Sequence, residues 1–215
     1  PGDPRAHQML RAAHRRAYYF PPDFRGFSAK IRYMDGTLDV CGQALVYGPR
    51  EVELDLPAPA DVVTWTRQEL VSLIGHRWPI AYEASDGRYT LALQHDGHPL
   101  GCLIRFADDP FASSYRVDDR RITQITRTMG STRFVITLQE HAVTSDERLL
   151  PVHFTVVYWD VAMNRLTRAD TYSDQYAGID GLYLPTLRQV VSATDSGIET
   201  RQVRLAEHRI ATREQ

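Results

Sequence analysis

Four consecutive residues, His76-Arg77-Trp78-Pro79, set a titratable ring, a fixed cation and a large aromatic directly behind an apolar run. Such a set can anchor an anionic or aromatic group, and a histidine can exchange a proton near neutral pH. The position also suits plain capping, because cations at a helix C-terminus face its unpaired carbonyls. A second set is Glu140-His141 with His153, which a hairpin about Ser145-Asp146 brings onto neighbouring strands. Across a sheet these residues make either an acid–base couple or a polar pair on the solvated face, and the polar pair is the preferred reading.

The remaining candidates are weaker as chemistry. His95-x-x-His98 spans an Asp96-Gly97 turn with no cysteine or carboxylate cluster at ligand spacing, so a solvated turn and no metal are expected. Arg121, Arg127 and Arg133 flank one hairpin. Strand alternation puts Arg121 and Arg127 on one face with Thr123 and Ile125. If that face is buried it requires an acidic partner or an anionic ligand; if exposed, these are surface charges. Trp65, Trp78 and Trp159, with Tyr115 and Met129, can line a cavity or fill a core. There is no G-x-S-x-G elbow, P-loop, G-x-G-x-x-G or H-E-x-x-H, so no cofactor is implied.

The elements that would position these residues are legible. Asp3 can cap a first helix, Pro4 suits its first position, and Ala6, Met9, Leu10, Ala13 and Ala17 keep a helical stripe. Pro21 and Pro22 forbid its continuation. A second helix is predicted over about Val62 to Ile74, capped by Asp61 or Thr64, with Gly75 just past its end. Its apolar residues cover more than one side, which predicts burial. Almost everything else alternates as strand, broken at turns such as Asp35-Gly36, Asp86-Gly87, Asp118-Asp119, Met163-Asn164 and Asp180-Gly181. Ten or more antiparallel strands with two helices predict a mainly β (α+β) fold. Its centre is one large curled sheet, a half-barrel, with both helices packed on the concave face; a closed barrel is the runner-up. Residues 1–215 read as a single domain.

Composition excludes several classes. A net charge of -2 gives no reason to expect nucleic acid as a partner, and no apolar run is long enough for a transmembrane helix. There are 24 arginines against the single Lys30, a bias that coding composition or heat adaptation explains as well as function does. Cys41 and Cys102 lie in apolar strand-like runs and read as two reduced, buried thiols. Pro1 to Ala6 are polar with no apolar signal core. A cytoplasmic location is therefore expected, and a periplasmic one is kept open for a mature chain.

The blocks "LRAAHRRAYYFPPDFRGFSAKI", "IGHRWPIAYEASDGRYTLAL", "GHPLGCLI", "SSYRVDDRRITQITRTMGSTRFVI" and "LPVHFTVVYWD" resemble an uncharacterised bacterial family, the domain of unknown function numbered 3386. The resemblance runs over nearly the whole chain and lies in the order and spacing of blocks. It implies no activity and no catalytic set. The order helix, strands, buried helix and a long meander containing "DGLYLPTLRQVV" is similar to the LolA-like lipoprotein carriers. That likeness implies a curled sheet sheltering an acyl chain, and it is analogy of fold only.

The resulting expectation is a binding or carrier protein for a hydrophobic small molecule (lipid, isoprenoid or pigment-like), with a homodimer open. Its expected ligand-binding residues are Trp65, His76, Arg77, Trp78, Tyr115, Arg127 and Met129. One alternative is an enzyme of cyclase or isomerase type shaping a hydrophobic substrate, with His76, Glu140 and His141 as acid or base candidates. The other is an assembly or scaffold protein acting through its surface.

Overall fold

The structure is a computed structural model and describes residues 2–211. Helix α1 (Pro4–Arg16) precedes strands β1 (Phe27–Met34), β2 (Asp39–Val46) and β3 (Val52–Asp55). Helix α2 (Ala60–Gly75) follows, then two short 3-10 turns at Tyr82–Ala84 and Asp86–Arg88. Strands β4 (Leu91–Gln94), β5 (Cys102–Phe106), β6 (Ser114–Asp118) and β7 (Arg121–Met129) come next. Long strands complete the chain: β8 (Thr132–Val143), β9 (Leu149–Asp160), β10 (Arg165–Ile179), β11 (Leu182–Thr194) and β12 (Gly197–Ile210).

The twelve strands among the described residues join one sheet in the order β3-β2-β1-β12-β11-β10-β9-β8-β7-β6-β5-β4. The order is a meander except that β12 returns to pair antiparallel with β1. β3 and β4 are its two edges, so hydrogen bonding does not close it into a barrel. The mainly β class with one large open antiparallel sheet and two helices is the expected one. No described helix is long and apolar enough to cross a membrane.

The chain divides into two compact units. The first comprises residues 2–18, 80–172 and 192–198; the second comprises 19–79, 173–191 and 199–211. In the first unit α1 begins where Asp3, in extended conformation, accepts hydrogen bonds from the amides of Arg5 (2.8 Å) and Ala6 (3.3 Å). That satisfies two of the amides every helix start leaves open. Ala6, Leu10 and Ala13, spaced one turn apart, pack with Leu91, Ile104, Phe106, Tyr115 and Val117 on one face of β4 to β6. Met9, Ile122 and Ile125 join the margin of this core.

In the second unit the alternation of β1 is plain: Phe27, Ala29, Ile31 and Tyr33 are buried. α2 buries Thr66, Leu70, Leu73 and Ile74, and Trp65 meets the Tyr33 ring edge-on at 5.9 Å. The expected cap of α2 is not used. The helix starts after Pro59, with no side-chain cap, and both Asp61 and Thr64 lie inside it. Thr64 Oγ1 donates back to the Ala60 carbonyl at 2.7 Å, the local bond a helical threonine makes when it is not a cap. Gly75 is the last helical residue, not the first beyond it.

Three further expectations are corrected. Asp86-Gly87 is not a hairpin tip: the segment before β4 holds the two 3-10 turns, and Asp86-Gly87 is part of the second. Cys41 is exposed and Cys102 half-buried, because each falls on an outward phase of its strand's alternation. A bulge between β6 and β7 separates Arg121 from Arg127. Arg116 pairs with Gln124 and Val117 with Ile122, leaving Thr123 as the extra residue. One inserted residue reverses the phase of every side chain beyond it. Ile122 and Ile125 therefore share the core face, while Arg121 turns out to pair with Asp118 at 3.4 Å.

Candidate functional site

Of the three hairpin arginines, Arg127 stays on the core face of the first unit. Its cross-strand partner is Phe134, whose own partner on β9 is Tyr158. The Tyr158 ring carries the Arg168 guanidinium at 4.0 Å. One row thus reads arginine, phenylalanine, tyrosine across three strands, with the Arg168 guanidinium over its last ring. The next row places Ile125 beside Ile136 and Val156, and the one beyond it Leu138 beside Phe154. Phe154 stacks on Tyr172 with centroids 4.6 Å apart and planes 5° from parallel. Phe134, Ile136, Leu138, Phe154 and Tyr158 are each only half-buried, whereas Val156 and Tyr172 are buried. This is a contiguous apolar face, rimmed by guanidinium groups, that keeps contact with solvent.

The polar end of the face is built on Tyr115. Its hydroxyl accepts a hydrogen bond from Arg127 Nη2 and donates one to Asp86 Oδ1 at 3.3 Å. Arg127 also lies over the Tyr115 ring at 5.6 Å. The phenol is buried, and burial, followed by the neighbouring Asp86 carboxylate, raises its pKa well above that of a free tyrosine, so it stays protonated. Asp86 is held above the ordinary carboxylate range by burial, against the opposing pull of Arg127 and the Tyr115 hydrogen bond. No carboxylate lies within ion-pairing distance of Arg127 among the described residues, and its buried Nε has no acceptor. Arg168, by contrast, is paired with Asp170 at 3.1 Å.

A second layer of titratable groups stands behind Asp86. Tyr82 shares a hydrogen bond of 2.9 Å with His7 Nδ1, and His14 meets its ring edge-on at 5.9 Å. Arg11 lies over the same ring at 5.0 Å and pairs with Glu83. Burial lowers the pKa of His14, so its ring is neutral at physiological pH. A protonatable carboxyl, a protonated phenol and a guanidinium with no direct ion pair among the described residues can bind an anion or hold a proton. None of them makes a metal-ligand set, and the described residues contain no group of three or more His, Cys, Asp or Glu able to hold a metal ion.

The sequence candidates separate into two groups. Tyr115 and Arg127 are in direct contact, and Met129 extends from the same strand to an exposed tip. Trp65, His76, Arg77 and Trp78 belong to the second unit. There Trp65 carries the Arg201 guanidinium at 5.0 Å, and Trp78 packs on Phe24 at 5.2 Å and Phe20 at 6.3 Å. His76 is exposed at the end of α2, and Arg77 lies beside the buried Tyr176 hydroxyl. Trp159 is on the opposite face of β9 from Tyr158, bonded to Asn164 at 3.1 Å. Glu140 stands directly across from His153, as the hairpin reading requires. His95 and His98 go to different partners, Cys102 Sγ and the Leu100 amide.

A polar cleft of about 530 Å³ lies elsewhere in the first unit, at the C-terminus of α1. Its walls include Arg15, Arg16, Arg120 and Arg148, with Asp146 and Glu147, and none of the residues around Tyr115. Arg16 and Arg148 are already engaged, with Asp119 and Asp146. The apolar face and its cation make the better-defined recognition surface.

The family described as a protein of unknown function (DUF3386) matches residues 2–210. No curated protein matches the sequence. Among solved structures, a LolA superfamily protein from Nitrosomonas europaea is similar at 13% identity and a TM-score of 0.39, over 97% of this chain and 94% of that one. A DUF1329 family protein from Desulfovibrio piger is similar at 8% identity and a TM-score of 0.29, over 98% and 94%. The Pseudomonas aeruginosa MucA/MucB complex follows at 9% identity and a TM-score of 0.22, over 97% and 100%. Likenesses at these scores transfer no role.

Proposed function

The chain belongs to the DUF3386 family of proteins of unknown function, and from its own residues we propose that it binds or carries a hydrophobic small molecule. The observation that supports this most is the half-buried face of Phe134, Ile136, Leu138, Phe154 and Tyr158. A face left only to solvent would forgo roughly 25 cal/mol for each Å² of apolar surface that a ligand could bury. Concave or partly covered apolar surfaces with a few polar anchors are the usual form of small-molecule sites. The ligand's apolar body would lie along the rows of β7 to β9, with Tyr115 and Arg127 at one end.

Native mass spectrometry of the purified protein, followed by organic extraction, is the direct test. A stoichiometric hydrophobic passenger, or saturable uptake of the uncharged dye N-phenyl-1-naphthylamine, is the expected result. Uptake should fall in Ile136→Gln, which places an amide in the middle of the face. A protein that carries nothing and takes up no dye would remove this reading.

A surface-acting role has one observation in its favour. Met129, Val161, Met163, Leu166 and Ile198 stand exposed at or beside the β7–β8, β9–β10 and β11–β12 turns of the first unit. A row of exposed apolar tips is more than scattered surface residues need. Association detected by sedimentation velocity and abolished by Met163→Ser with Val161→Ser would favour this reading; a monomer at all concentrations would count against it.

A further inference from the structure

We propose that the ligand of the apolar face is an anionic amphiphile, a long chain ending in a carboxylate or phosphate, and that Arg127 with the Tyr115 hydroxyl reads its head. The inference rests on the hydrophobic-ligand reading and adds the head's charge and its direction.

Guanidinium groups touch both ends of the central row, Arg127 within it and Arg168 over the Tyr158 ring, and they differ in their partners. Arg168 has Asp170 at 3.1 Å, so its charge is matched. Among the described residues Arg127 has no carboxylate within ion-pairing distance, and it hydrogen-bonds instead to a neutral phenol. Its Nε–H is buried without an acceptor. A half-buried cation without a counter-ion is costly, and an arginine fork is the side chain that binds a planar or tetrahedral oxyanion at two points. Asp86 does not fill this role. It makes no direct ion pair with Arg127 and reaches it only through the Tyr115 hydroxyl. The adjoining residues in the row, Phe134 and Tyr158, are those against which a chain attached to that head would lie.

An alcohol head can accept one hydrogen bond from Arg127 but leaves its charge unmatched and its second donor open, and a cationic head would be repelled. Discrimination should therefore follow head charge at constant chain length. A charged hydrogen-bonded pair in a part-buried setting supports at least about a tenfold preference.

The test uses competition against N-phenyl-1-naphthylamine by dodecanoate, dodecyl phosphate and dodecanol, below their aggregation thresholds. The expected result is that one or both anions compete at least about tenfold more strongly than the alcohol. Preference for dodecanoate identifies a carboxylate head and preference for dodecyl phosphate a phosphate head. The preference should collapse towards unity in Arg127→Gln and persist in Arg168→Gln. Equal competition by alcohol and anions in the unaltered protein would overturn the proposal while leaving the hydrophobic-ligand reading intact. Failure of all three to displace bound dye would likewise overturn the proposal alone, whereas a protein that takes up no dye and carries nothing would overturn both. The wild-type comparison does not depend on any variant folding. Arg127→Lys, which keeps the charge but loses the fork, should show an intermediate preference; an unchanged preference in Arg127→Gln would remove Arg127 as the reader.

Discussion

Arg188 and Asp174 form a two-point ion pair inside the second unit: Nε to Oδ1 is 2.9 Å and Nη2 to Oδ2 is 2.6 Å, with the residues 3% and 4% exposed. Arg188 Nη1 also donates to Glu69 Oε2 and to the Glu69 carbonyl, at 3.1 and 3.2 Å. Burial works against the arginine's charge, and the two carboxylates outweigh it, so its pKa is raised. One guanidinium thereby ties α2 to the two strands that carry Arg188 and Asp174.

Breaking this pair from one side should be far worse than removing it. Arg188→Ala leaves Asp174 charged and buried, and a loss of about 3–5 kcal/mol is expected in urea unfolding. Arg188→Met with Asp174→Leu should recover more than half of that loss, because Glu69 lies nearer the surface and can rehydrate. A double variant as unstable as the single one would show that geometry, not charge burial, governs this site.

Two histidines set the acid side of stability. His14 in the first unit and His208 in the second both have pKa values lowered from 6.5, in each case chiefly by burial. His208 also donates to the Pro185 carbonyl at 2.9 Å and faces Phe27, which only partly offsets that burial. A lowered histidine pKa means that the fold holds the neutral ring. Stability is thus complete above about pH 6.5 and declines as pH falls through the lowered folded values. Thermal scans from pH 7.5 to 5 should show a loss of a few degrees that His14→Gln and His208→Gln each reduce. Parallel curves for wild type and both variants would assign the acid loss to other groups.

How far the sequence could be read depended on the range of the interaction. Asp3-Pro4 and the Ala6, Leu10, Ala13 spacing set α1 because capping and periodicity are local. Alternation in Phe134, Ile136, Leu138 and Phe154, Val156, Tyr158 gave the face shared by β8 and β9 for the same reason. The bulge at Thr123 is not visible, since nothing in "RRITQITRTM" marks the extra residue, and plain alternation therefore puts Arg121 in phase with Arg127 where the structure does not. Asp86-Gly87 reads as a hairpin turn because Asp-Gly usually is one, whereas in the fold it forms a 3-10 turn whose carboxylate meets the buried Tyr115 hydroxyl. The Glu69, Asp174 and Arg188 cluster depends on where three distant elements meet, and no local pattern encodes it.

Gly26 and Gly36 separate backbone cost from steric cost. Both hold positive φ, +106° and +90°. A Cβ on Gly26 would stand 1.8 Å from the Val46 carbonyl oxygen, whereas nothing lies within 4 Å of one on Gly36. Gly36→Ala should cost about 1 kcal/mol, the price of an unfavourable φ alone. Gly26→Ala must also push β1 and β2 apart, and more than about 3 kcal/mol is expected, or no soluble protein. Equal effects in chemical denaturation would contradict this account.

Asp86 supplies the sharpest check on the electrostatics of the candidate site. Its pKa is raised, first by burial, with Arg127 and the Tyr115 hydrogen bond pulling the other way. A carboxyl whose folded pKa exceeds its unfolded value stabilises the fold at low pH, and that contribution is lost as pH rises through the folded value. At pH 7 the ionised group is therefore a net cost. Asp86→Asn keeps an acceptor for Tyr115 without the charge, so it should raise Tm at pH 7, by about 2–4 °C for each kcal/mol recovered. The advantage should shrink as pH falls through the raised folded value, where wild-type Asp86 takes up its proton. A variant less stable than wild type at pH 7 would mean that attraction to Arg127 exceeds the burial cost. Asp86 would then already serve as the counter-ion of Arg127, and the dodecanoate preference should be correspondingly weak.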